Sequence, residues 1–231
     1  MSERVQIGSA TLYHGDCLAL LPELPPAQAV VSDPPYGIAF DFTKPKKNRT
    51  PRLSHTGKPS TLTKAASAWI VNVLGDGQPF DPTPWLAYPQ VILWGANHYA
   101  SRLPDSGAWL IWDKRVGGTP DNQSDCEMAW TNLGRAARIH RQLWRGMCRA
   151  GEDSPARSGP KLHPAQKPIE LLLWCVGKTT GTVLDPYMGS GTTGLACLRV
   201  GRPFIGVEIE RRYFDIACER LTAALALQEA S

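Results

Sequence analysis

A strand, a glycine-rich turn, a helix, a second strand and a terminal acid follow one another over residues 182–208, close to the end of a 231-residue chain. After Thr182, Val183 and Leu184 come Asp185, Pro186, Tyr187 and Met188, and then Gly189 to Gly194 spell G-x-G-x-x-G. A helical run over 195–199 can stop at Gly201, and the apolar run 204–207 ends in Glu208. Parallel neighbours need a crossover, so this is one βαβ unit. Only a helix over 213–225 follows it, so the other strands of its sheet must precede it. The expected fold is α/β, a doubly wound, mostly parallel Rossmann-like sheet whose glycine loop comes late.

Such a loop carries an adenosine-containing cofactor, with Glu208 placed 19 positions after Gly189 to meet ribose hydroxyls. No Lys follows the glycines, which argues against a phosphate-cradling Walker loop. Two features separate a nicotinamide dinucleotide from a sulfonium methyl donor. Asp185 would repel a pyrophosphate but suits the cationic amino group of S-adenosylmethionine. The late position of the loop is also unlike a dehydrogenase, which usually begins with it.

The second informative stretch is Asp33-Pro34-Pro35-Tyr36, directly after the apolar run Ala29-Val30-Val31. Two prolines end a central strand and fix φ near −65°, so the chain is stiff where open α/β sheets bind ligands. The Asp33 carboxylate and Pro34 carbonyl would pair as acceptors beside the Tyr36 ring. A nucleobase amino group offers two donors on a flat face, and acceptors that tighten as its nitrogen gains positive charge stabilise the transition state for alkylation. A turn with a capping Asp is the plainer reading of these four residues alone.

With both motifs in hand, the chain resembles the beta-class amino DNA methyltransferases, in which D-P-P-Y precedes D-P-F-x-G-S-G-T. Further blocks fit: Gly15-Asp16-Cys17-Leu18, the run 109–114, the run 125–130, and His163-Pro164-Ala165-Gln166-Lys167-Pro168. Tyr187 stands for the usual Phe, and Ala165 for the usual Thr, which leaves Ala165 a backbone role only. The resemblance implies a single domain over 1–231, circularly permuted, with the catalytic half before the cofactor half. It implies Asp33, Pro34, Pro35 and Tyr36 as catalytic. It implies S-adenosylmethionine held by Asp16, Lys167, Asp185, Pro186, Tyr187, Gly189, Ser190, Gly191, Thr192 and Glu208, with Asp16 on adenine and Lys167 on the methionine carboxylate. An Asp at the first motif position favours adenine N6 over cytosine N4. RNA or a protein amide as acceptor, and a DNA-binding relative without activity, stay open.

Charge points to the partner. Residues 41–58 hold Lys44, Lys46, Lys47, Arg49, Arg52 and Lys58 against Asp41, and residues 135–161 hold six Arg and Lys161 against Glu152 and Asp153, in a chain of formal net charge +4. Both stretches read as loops: 41–60 a mobile basic loop and 115–162 a target-recognition insert. Lys46, Lys47, Arg49, Arg52, Arg138, Arg141 and Arg145 are the expected contacts to double-stranded DNA. A short recognition insert leaves room for a homodimer, and a cognate restriction enzyme as a further partner stays open. The six scattered cysteines include no C-x-x-C pair, so neither a disulfide nor a metal is expected. No apolar run approaches the ~18 residues of a membrane span, and cytoplasm is the expected location.

Overall fold

The computed structural model describes residues 3–39, 73–117, 124–145, 148–149 and 166–230. Its strands are β1 (Glu3–Ile7), β2 (Ala10–His14), β3 (Ala29–Ser32), β4 (Gln90–Trp94), β5 (Trp109–Asp113), β6 (Cys126–Thr131), β7 (Arg138–Arg141), β8 (Trp144–Arg145), β9 (Cys148–Arg149), β10 (Val183–Asp185) and β11 (Phe204–Glu208). The helices are α1 (Cys17–Leu20), α2 (Thr83–Leu86), α3 (Ile169–Val176), α4 (Thr192–Arg199) and α5 (Arg211–Glu229). Nine strands form one sheet in the order β1-β2-β11-β10-β3-β4-β6-β5-β7, and β8 pairs with β9 apart from it. From β2 to β4 all neighbours are parallel, whereas β1 and β6 run antiparallel to the strands beside them.

The central strands are apolar at nearly every position because helices and loops cover both faces. Along β3 and β4, alternate residues go to opposite cores. Val31, Ile92 and Trp94 pack with Leu171 and Cys175 of α3, Ala196 of α4 and Phe214 and Leu221 of α5. Val30, Val91 and Leu93 pack with Phe80, Trp85 and Tyr99. Each such buried side chain contributes about 1.5–3 kcal/mol of hydrophobic stabilisation. Trp85, Trp94, Trp112 and Trp130 are buried, while Trp109 and Trp174 are half-buried.

This order brings the two motifs together. β10 lies beside β3 with Val183 opposite Ala29 and Leu184 opposite Val30, so Asp185 and Asp33 leave the same sheet edge side by side. The antiparallel β6 delivers its amino end there, with Glu127 opposite Trp112 of β5.

Two expectations need correcting. The stretch 115–162 is not wholly an insert, since β6 and β7 within it are strands of the main sheet. β7 had read as loop because among the described residues it is an edge strand, paired only with β5, and an edge tolerates and even favours exposed charge such as Arg138 and Arg141. β1 was not anticipated either; it is an antiparallel hairpin partner of β2, with three of its five residues exposed. The loop 41–60 lies outside the described residues.

Candidate active site

β3 ends at Ser32, and the prolines carry Asp33 and Tyr36 out over the sheet edge. The Tyr36 hydroxyl donates to Asp33 Oδ1 at 2.5 Å. The Tyr36 ring lies nearly parallel to His98, with centroids 5.1 Å apart and planes at 15°. Lys167, just before α3, donates to Asp33 Oδ2 and, at 3.2 Å, to the Tyr36 hydroxyl. The same ammonium pairs with Glu127 Oε2 at 3.0 Å, and Lys114 reaches Glu127 Oε1 at 3.0 Å. Charges therefore alternate from Lys114 through Glu127 and Lys167 to Asp33.

Burial sets the ionisation of this row, and the partners correct it. Burial pushes the Asp33 carboxyl up, against the pull of Lys167. It also opposes ionisation of Glu127, but Lys167 and Lys114 outweigh it and hold that carboxyl at about 2. For Lys167 burial disfavours the ammonium, yet Asp33 and Glu127 outweigh it and raise its pKa. Burial places the Tyr36 hydroxyl well above its ordinary value, with Asp33 adding to the effect.

On the other side of the edge, Asp16 caps α1 by accepting from the Leu18 N–H at 2.9 Å. The buried Glu208 accepts from Gly189 N–H at 2.9 Å and Glu210 N–H at 2.8 Å, and burial pushes its carboxyl up to about 7. Tyr187 stands edge-on to Phe80 and Trp85. Gly191 opens α4 at φ 78°, and a Cβ there would lie 2.9 Å from Ala217 Cβ, so only glycine fits.

One cavity of about 1090 Å³ is lined by Asp33, Pro34, Pro35, Tyr36, Asp16, Lys167, Pro186, Tyr187, Gly189 and Glu208. Asp185, Ser190, Gly191 and Thr192 do not line it. Asp185 is 3% exposed, accepts from Ser32 Oγ at 2.7 Å, Thr193 Oγ1 at 2.6 Å and Tyr187 N–H at 3.2 Å, and is raised to about 6 by burial. It clamps β3, β10 and α4 together. Ser190 and Thr192 are engaged by Arg220 instead. Lys167, assigned from the resemblance to the cofactor's carboxylate, lies on Asp33 and Glu127. Arg138 and Arg141 are exposed on β7, with Arg141 3.8 Å from Asp113. Lys46, Lys47, Arg49, Arg52 and the side chain of Arg145 lie outside the described residues. Sequence reasoning missed Glu127, Lys114 and Gly95; the first two sit in strand-like runs whose only visible signal is a charge among apolar residues.

The sheet order and the site define a Rossmann-like α/β fold with a ligand cavity at its carboxyl edge. A model of the N6/N4 methyltransferase family, described as DNA methylase, matches residues 105–219. The Type II methyltransferase M.HinfI of Haemophilus influenzae is 39% identical over 85 residues, 35% of this chain and 24% of that protein. M2.DpnII of Streptococcus pneumoniae is 45% identical over 64 residues, 26% of this chain and 24% of that one. The matched part thus spans about a quarter of the length of these relatives. Among solved structures, the cytosine-N4-specific PvuII DNA methyltransferase superposes with a TM-score of 0.53 at 15% identity, covering 97% of this chain and 95% of that one. A Thermus thermophilus protein assigned as a DNA modification methylase, solved with S-adenosyl-L-methionine, gives 0.50 at 20% identity over 93% and 95%. The chain belongs to the amino DNA methyltransferases of the N6/N4 class. No helix among the described residues is long and apolar enough to cross a membrane, and no cluster among them could hold a metal.

Proposed function

We propose that the protein methylates the exocyclic amino group of adenine, at N6, in double-stranded DNA, using S-adenosylmethionine. The observation that carries this reading is the single cavity shared by Asp33 and Tyr36 from the end of β3 and by Tyr187, Gly189 and Glu208 from β10 and β11. The Type II methyltransferases it resembles support DNA as the carrier. The donor set fits an adenosyl group: two carboxylates, Asp16 and Glu208, to accept from amino and hydroxyl groups, and an aromatic wall at Tyr187. When bound, S-adenosylmethionine supplies an electrophilic methyl group.

The chain's own residues do the rest. A stacked base cannot reach the cavity, so it is flipped out at a cost of a few kcal/mol. Tyr36 offers its ring for stacking, and Asp33 with the Pro34 carbonyl accepts the two amino hydrogens and orients the nitrogen lone pair. These acceptors strengthen as the nitrogen becomes positive. The resemblance supports adenine over cytosine, since it goes with Asp rather than Ser at the position of Asp33. The test is incubation with methyl-labelled cofactor and unmethylated DNA, followed by digestion to nucleosides. N6-methyladenine is expected, N4-methylcytosine would replace the base assignment, and label confined to RNA or protein would overturn the reading.

Glu208 makes cofactor affinity depend on pH. Ribose hydroxyls donate to the ionised carboxylate, and at about 7 this carboxyl is half protonated near neutrality. Binding therefore releases a proton. Affinity measured by calorimetry should be full above that point and fall below it towards the weaker affinity of the protonated form. Glu208→Gln should bind more weakly at pH 8 and flatten the profile; a wild-type profile already flat from pH 6 to 8 would remove Glu208 from this role.

A further inference from the structure

We propose that Lys167 is a positioning residue for Asp33, its ammonium fixing one carboxylate oxygen while the other is left for the substrate amino group. The inference rests on the reading that Asp33 receives that group. Both oxygens of Asp33 are engaged in the structure, Oδ1 by the Tyr36 hydroxyl and Oδ2 by Lys167. An arriving amino group must displace one of them. Both bonds are charge-assisted at the carboxylate, but the Tyr36 bond is the easier to exchange, because it joins a neutral hydroxyl that can rotate, whereas the Lys167 bond pairs two full charges. Lys167 is also tethered from the other side by Glu127, which lies on β6 and is itself held by Lys114. The ammonium thus bridges β3 to the antiparallel part of the sheet and sets the Asp33 plane from outside its own loop.

Charge balance gives the second argument. Asp33 and Glu127 are two carboxylates matched by two ammonium groups, Lys167 and Lys114. Without Lys167, Asp33 would face the negative Glu127 with no cation beside it. The groups around Asp33 are Lys167, Tyr36 and Glu127, with Tyr99 and Asp185 also in its field. Of these only Lys167 is positive, so its loss favours the protonated acid, which has lost the acceptor the amino group needs.

The test compares Lys167→Met, Lys167→Arg and Glu127→Gln with the wild type by three measurements. These are the carboxyl NMR titration of Asp33 in the free protein, S-adenosylmethionine affinity by calorimetry, and the pH profile of kcat on DNA. In Lys167→Met the Asp33 midpoint and the acid limb of kcat should move up by about one pH unit or more, with kcat at neutral pH down about tenfold. Cofactor Kd should stay within about threefold of wild type, since the ammonium contacts Asp33 and not the cofactor. Lys167→Arg keeps the charge and should restore most of the titration. Glu127→Gln removes a neighbouring negative charge and should move the Asp33 midpoint down. Loss of cofactor affinity in Lys167→Met with an unmoved Asp33 titration would overturn the proposal and return Lys167 to the cofactor's carboxylate. An upward shift in Glu127→Gln would also overturn it. If the wild type transfers no methyl to DNA, the proposed function fails, while the Asp33 titration of the free protein still decides the role of Lys167. Should Lys167→Met fail to fold, Lys167→Arg and Glu127→Gln decide it by the same titration.

Discussion

Asp33→Ala is expected to lower methyl transfer by about 10³-fold or more, because it removes the acceptor that tightens as the amino nitrogen gains charge. Cofactor affinity should hardly change, since Asp16, Tyr187, Gly189 and Glu208 line the other side of the cavity. The fold should survive. Lys167 keeps Glu127 as a partner when Asp33 is gone, so no buried ammonium is left alone. The Tyr36 hydroxyl loses its acceptor at 2.5 Å and keeps only the Lys167 ammonium as a donor to its oxygen at 3.2 Å, so its proton turns to the open cavity. Asp33→Asn keeps the shape and loses the charge, and should fall between alanine and wild type. Single-turnover transfer of labelled methyl, with calorimetry of cofactor binding on the same samples, separates the two effects. An alanine variant close to the wild-type rate would remove Asp33 from the chemistry.

The contrast between Asp33 and Glu127 explains what could be read from the sequence. Asp33 is marked by the prolines after it, and Glu208 by the glycines and strand before it, so local rules of chain stiffness and turn geometry expose both. The parallel strands β2, β3, β4, β10 and β11 are legible for the same reason, as short apolar runs ended by turn residues. Glu127 reaches the site only because β6 runs antiparallel, and pairing direction has no local signature in the run 125–130. The Lys167 to Asp33 contact spans 134 positions and is decided by how α3 packs, which periodicity does not report. Asp185 was expected to face the ligand because an acid suits the cationic amino group of S-adenosylmethionine and the resemblance places it there. Residues alternate faces along a strand, and here the side chain turns inward to Ser32 and Thr193. β7 hid behind its arginines, since the alternation that reveals a strand fades at an exposed edge.

Gly95→Ala is expected to lower turnover by about 10²-fold or more, as a misplacement of about 1 Å in a catalytic constellation already costs that much. Gly95 follows β4 and lines the cavity at φ 70°, a conformation that favours glycine. A Cβ built there falls 1.9 Å from Tyr36 Cε1, 2.3 Å from Cδ1 and 2.4 Å from Cζ, far inside any real contact. What yields decides the phenotype. The obstructing atoms are the end of one side chain and not backbone, so the Tyr36 ring moves and the sheet does not. Moving the ring disturbs its stack on His98 and its bonds to Asp33 and Lys167 together. Stability should drop by about 1–2 kcal/mol for a left-handed alanine, and further by what the displaced Tyr36 contacts contribute. Cofactor affinity should stay near wild type, because Tyr187, Gly189 and Glu208 belong to other strands. A double variant separates ring displacement from backbone strain. In Gly95→Ala with Tyr36→Ala the ring is gone, so the added methyl should cost far less than it does alone. If the methyl costs the same with and without the ring, the loss comes from the backbone, and Gly95 is not there to make room for Tyr36.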